Sequence, residues 1–134
     1  MYLDTWSGAV SSITNFDTAD KSSSKASKKL VSMIENAPQR AIVIGVTFDD
    51  PMKNLSKAAK KALASLGVDT AGVPYRGRFA FVAEKGRTEL TQLVKSDSDI
   101  GTSVLKVRTS GKCSMTRLCV ALKVRDHGAC MLLH

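Results

Sequence analysis

Apolar side chains at Ala26, Leu30, Met33, Ile34 and Ala37 recur at the spacing of one α-helical face, and Pro38 ends the run. The pattern predicts one amphipathic helix inside "DTADKSSSKASKKLVSMIENAP". A different pattern follows. "AIVIGVTF", residues 41–48, is apolar at odd and even positions alike, which suits a strand covered on both faces and predicts the centre of a sheet. Asp49, Asp50 and Pro51 then read as a helix start, an aspartate cap followed by a proline whose missing N–H does no harm. Leu55, Ala58, Ala59, Ala62, Leu63 and Leu66 keep a 3.6-residue period up to Gly67, which closes that second helix. "RFAFVAEKG" is the next strand. Strand, helix and strand in this succession predict a βαβ unit with parallel strands and a right-handed crossover.

The flanks carry weaker patterns. "YLDTWSGAVSSITNF" reads as a hairpin turning at Ser7 and Gly8. "RTELTQLVKS" reads as two helical turns or a loop. "SVLKVRTSGKCSMTRLCVALKV" reads as two strands around Ser110, Gly111 and Lys112, and "ACMLLH" as a last strand. The expected architecture is a single α/β domain spanning residues 1–134, a sandwich with a mixed parallel and antiparallel sheet and flanking helices.

Composition agrees with that size. The chain has 134 residues, 43% hydrophobic and 24% charged, as a soluble globular domain has. No apolar run approaches the roughly 20 residues that cross a bilayer, so no membrane insertion is expected. "MYLDTWSG" lacks the charged-then-apolar pattern of a secretory signal, which leaves a cytosolic chain or a secreted one whose leader was cleaved. The net charge of +8 favours an anionic or polar partner. The lysines of "DKSSSKASKK" and "MKNLSKAAKK" read first as a solvated, solubilising face. Cys113, Cys119 and Cys130 form no CxxC pair. In an oxidising compartment they allow one bridge plus a free or intermolecular thiol, and in the cytosol three buried thiols.

Convergent catalytic groups are scarce. The chain has no G-x-S-x-G elbow, no P-loop and no G-x-G-x-x-G fingerprint, and "EKGRTE" lacks the upstream glycine and Lys-Ser/Thr pair of a phosphate loop. His127 and His134 lie near the C-terminus, away from zinc-site spacing. No catalytic residue, metal or cofactor is therefore expected, and the protein reads as a non-enzyme. What remains is a site at strand ends, where open parallel sheets gather ligands. Asp49 and Asp50 end the central strand, and Tyr75 and Arg76 lie in the loop entering the next. An acceptor, a donor fork and an aromatic face are what hold a sugar by hydrogen bonds and ring stacking. The competing structural reading makes Asp50 a helix cap and Arg76 the ion-pair partner of Asp49.

Residues 16–86 closely resemble the interleukin-like EMT inducer (ILEI) domain, also called the GG domain. The resemblance rests on Phe16-Asp17-Thr18 before the first helix, the apolar strand ending in Asp49-Asp50-Pro51, "LASLG" at 63–67, and Arg76 ahead of "FAFVAEKG". Family members usually carry Arg-Asp-Ser-Trp or Arg-Asp-Thr-Trp where this chain has Arg76-Gly77-Arg78-Phe79. Upstream, "YLDTWSGAV" resembles the family's strand and glycine turn. "VLKVRTSGKCSMTRLCVALKV" and "RDHGACMLLH" are loosely similar to the family's leading strands, which would make the chain a circular permutant.

The resemblance implies a binding module. The family includes secreted cytokine-like proteins, a domain of hyaluronan-processing cell-surface proteins, and the lectin-like stem domain of an O-mannose N-acetylglucosaminyltransferase. The stem domain's sugar-holding aspartate and arginine fall on Asp49 and Arg76, and a further arginine falls on Arg125 if the chain is permuted. Tyr75, with Trp6, would supply the aromatic wall. The first expectation is thus a secreted lectin for glycans or glycoproteins, homo-oligomeric for avidity, with a leftover cysteine as one route to a dimer. The alternative is a secreted cytokine-like signal. A nucleic-acid-binding basic domain ranks last, because no recognition motif accompanies the charge.

Overall fold

The computed structural model describes residues 2–3, 10–17, 23–47, 50–96, 103–107, 118–125 and 128–133. The elements run β1 (Tyr2–Leu3), β2 (Val10–Ser12), α1 (Ser23–Asn36), β3 (Ile42–Val46), α2 (Lys57–Ser65), β4 (Arg78–Glu84), β5 (Arg87–Ser96), β6 (Ser103–Val107), β7 (Leu118–Arg125) and β8 (Gly128–Leu133). Five strands form one sheet in the order β2-β1-β3-β4-β5, and the last three form another in the order β6-β7-β8.

β3 takes the middle position that its two-faced apolar pattern predicts. Val43, Phe79, Phe81 and Ala83 face the helices and pack with Ile34, Ala37, Ala59, Leu63 and Leu66 in one core. Each buried Val, Leu, Ile or Phe among them stabilises the fold by about 1.5–3 kcal/mol. The opposite face of the same strands, Ile42, Ile44, Ala80 and Val82, is also buried, and β6 approaches β4 and β5. The hairpin expected at the start is present as β1 paired with β2, Leu3 opposite Val10.

Several expectations are corrected. β3 and β4 pair antiparallel, from Ile42 opposite Glu84 to Val46 opposite Ala80, so this is no βαβ crossover. Every described strand pair is antiparallel. The cause lies after α2. Leu66 and Ala71 follow β5 in step, the first accepting from Thr91 Oγ1 and the second from Lys95 Nζ. This leg carries the chain back to the end of the sheet where β3 finished, and β4 must then run the other way. The leg has no apolar periodicity, so periodicity alone could not reveal it.

α2 begins later than Asp50-Pro51 suggests. Its cap is Ser56, whose hydroxyl accepts from Ala59 N at 3.1 Å, while Asp50 opens a turn closed by Lys53 N to Asp50 O at 3.4 Å. Its end is as expected. Gly67, at φ +80°, donates to Ala64 O and Val68 N donates to Leu63 O, a Schellman motif with both Val68 and Leu63 buried.

Residues 87–96 form strand β5 rather than helical turns, because the Lys85-Gly86 turn folds them onto β4. β6, β7 and β8 are the C-terminal strands expected, yet among the described residues their ladders join only one another. They therefore do not complete the first sheet, and the circular permutation falls.

Candidate functional site

Thr47 joins the end of β3 to the start of β4. Its N–H donates to Phe79 O at 2.9 Å, its hydroxyl donates to the same oxygen at 3.0 Å, and that hydroxyl accepts from Phe79 N at 2.7 Å. The chain leaving β3 toward Asp50 and the chain entering β4 from Pro74 therefore meet at one rim of the sheet. Antiparallel pairing produces this meeting, not the parallel-strand rule from which the sequence reading began.

Four residues build the rim turn. Gly77 N donates to Pro74 O at 2.8 Å, leaving Tyr75 and Arg76 as the two corner residues. Arg76 adopts φ +57°, in the left-handed region that costs a non-glycine residue about 1–2 kcal/mol. Gly77 is required where it stands, since a Cβ there would lie 2.6 Å from the Pro74 ring. Tyr75 is 83% exposed, and Arg76 is exposed beside it.

The same construction occurs at the opposite end of β3. Ala41 N donates to Pro38 O at 3.1 Å, and Arg40 takes φ +69° as the third residue of Pro38-Gln39-Arg40-Ala41. Arg40 Nε lies 3.2 Å from Glu84 Oε1, and Glu84 is buried. Here the strained conformation serves a visible purpose, the supply of a cation to a buried carboxylate. Backbone strain in non-glycine residues gathers where surrounding structure enforces a side-chain position.

Lys95 and Asp69 anchor the leg that leads into the rim turn, with Lys95 Nζ 3.5 Å from Asp69 Oδ2. Asp69 Oδ1 accepts from Ala71 N at 2.9 Å. That backbone hydrogen bond, followed by the charge of Lys95, holds the Asp69 carboxyl below its ordinary pKa.

The expected site residues fare unequally. Tyr75 and Arg76 occupy one turn on the rim. Asp50, three residues past Thr47 in sequence, is only 8% exposed, so little of it reaches solvent. Asp49 and Trp6 lie outside the described residues. Arg125 ends β7 opposite Gly128 in the other sheet, and with the permutation gone nothing in the topology links it to the rim. Among the described residues, one that sequence reading passed over is Lys85 of "EKG". Its ammonium caps α1, donating to Glu35 O and Ala37 O at 2.6 Å each. The signal was a lysine beside a glycine in a hairpin turn, whose target lies 48 residues away in sequence.

Among the described residues no group of three His, Cys, Asp or Glu side chains could hold a metal ion, and no helix is long and apolar enough to cross a membrane. Two helices on one face of a five-stranded antiparallel sheet, with a turn-built polar rim, define a small α/β domain. The chain belongs to the interleukin-like EMT inducer family, whose model matches residues 1–87, from the start of the chain to the first residue of β5. No curated protein matches the chain.

Proposed function

We propose that this protein is a non-enzymatic carbohydrate-binding module that holds a glycan at the rim where β3 ends and β4 begins. The observation that carries the reading is the Pro74–Gly77 turn, which sets a largely exposed tyrosine beside an arginine held at positive φ. The Tyr75 ring offers an apolar face for the C–H side of a pyranose, and the guanidinium of Arg76 offers a fork of donors for ring hydroxyls. Asp49, two residues beyond the Thr47 clamp, supplies the matching acceptor. No bond is made or broken; the site works by hydrogen bonding and stacking. A single site of this kind binds weakly, so a secreted oligomer presenting several rims to glycoproteins gains avidity.

The test is an array of neutral, unsulfated glycans probed with the wild type and with Asp49→Ala, Arg76→Ala and Tyr75→Ala, each checked for an unchanged melting profile. Each variant is expected to lose binding by about tenfold or more, the loss of one good hydrogen-bonding or stacking group. Full binding in both Asp49→Ala and Arg76→Ala rejects the site. Absence of any glycan binding by the wild type leaves the cytokine-like reading as the better one.

A further inference from the structure

We propose that the outer face of the two-helix layer is a docking surface for a sulfated polysaccharide, separate from the rim. α1 and α2 pack against each other and share a core with one face of the sheet, so their solvent-facing sides form one continuous surface. That surface carries six exposed lysines: Lys25, Lys28 and Lys29 on α1, and Lys57, Lys60 and Lys61 on α2. A single carboxylate on the two helices, Glu35, opposes them. None of the six makes an ion pair among the described residues. On each helix the three lysines fall within five residues, about 6 Å of rise at 1.5 Å per residue, so the six charges form one concentrated patch.

Between the helices runs a groove of about 180 Å³ lined by Ser27, Lys28, Val31, Ser32, Glu35, Ser56 and Ala58, with Glu35 its single acid. Ser27 is 1% exposed and ties the helices together, its hydroxyl accepting from Ser56 N at 3.1 Å. The lysine rows are therefore held at a set spacing.

The chemistry of the surface selects its partner. The cations on both helices are lysines without arginine, compact ammonium charges suited to anions distributed along a chain rather than to bidentate reading of base edges. The exposed large hydrophobic residues described are Ile13 and Tyr75, neither of them on a helix. The layer thus lacks the aromatic platforms on which bases stack and the apolar face that enters a lipid interface. Exposed Ser24 and Ser32 flank the α1 lysines and offer hydroxyl donors to sulfate groups.

The experiment measures binding of the full chain to a sulfated polysaccharide of heparin type across a salt series, beside its desulfated counterpart, single-stranded DNA and vesicles of anionic phospholipid. Two variants remove equal charge: Lys28→Gln with Lys57→Gln on the layer, and Lys106→Gln with Lys123→Gln on β6 and β7. The expected result is preference for the sulfated chain over the other three probes. Its affinity should fall steeply with salt and drop by about tenfold in the layer variant alone, as loss of phosphate-like contacts does in other polyanion complexes. Equal losses in the two variants would reduce the effect to net charge and overturn the proposal. So would tighter binding to DNA or vesicles, or indifference to sulfation. Rim binding of neutral glycans is scored separately, so failure of one reading leaves the other standing.

Discussion

The ammonium of Lys85 lies 2.6 Å from the carbonyl oxygen of Ala37, joining the β4–β5 turn to the residue just past the end of α1. It also takes Glu35 O at 2.6 Å, while Arg40 N donates to Lys85 O and Lys85 N to Ala41 O at 2.9 Å each. A cation on the unsatisfied carbonyls of a helix C-terminus complements both their hydrogen-bonding need and the helix dipole. Replacing Lys85 by Met keeps the stem and removes the charge. It should cost about 1–2 kcal/mol in urea unfolding, with rim binding of glycans unchanged; an unaltered midpoint would deny the cap its role.

Gly45 and Phe81 face each other across β3 and β4, and a Cβ on residue 45 would lie 2.2 Å from Phe81 Cε1. Gly45→Ala must displace the ring from the core and is expected to destabilise by about 1–3 kcal/mol, the usual range for overpacking. Adding Phe81→Leu should recover part of that loss. Strictly additive effects of the two changes would contradict the contact.

Arg40 and Glu84 make a pair of unequal exposure, 52% and 4%. Arg40→Ala leaves a buried carboxylate without its cation and should cost about 2 kcal/mol. Arg40→Gly loses the same pair but relieves the positive φ, so it should be about 1 kcal/mol more stable than the alanine variant. Chemical denaturation of both resolves the two contributions.

The start of α2 is open to a direct check. Ser56→Ala should lower stability by about 1 kcal/mol through loss of the bond to Ala59 N. A helix capped instead by Asp50 would be indifferent to it.

Acid should weaken the leg that delivers the rim turn. Asp69 is depressed first by the Ala71 N–H and then by Lys95, and Glu89 by its own backbone N–H and by Arg87. A carboxyl whose folded pKa lies below its unfolded value contributes stability above the unfolded value and loses it as pH falls through the folded one. The urea midpoint should therefore decline below about pH 4. In Asp69→Asn part of that decline should be missing.

Much of this protein was written in local pattern. The helical spacing from Ala26 to Ala37, the two-faced run from Ala41 to Val46 and the glycine after Leu66 each determined an element, because burial on one face or on both is a property of a short stretch of chain. The resemblance of residues 16–86 to the family was legible too, and with it Tyr75 and Arg76 as rim candidates. Only the tertiary structure decided strand direction, since that depended on the leg from Leu66 to Ala71 docking along β5 through Thr91 and Lys95. It also made a strand of residues 87–96, moved the cap of α2 to Ser56, and kept β6, β7 and β8 apart from the first sheet. Strand direction and the start of α2 rest on contacts 24 to 29 residues apart in sequence, Ala71 with Lys95, Leu66 with Thr91 and Ser27 with Ser56, whose energy no local window contains.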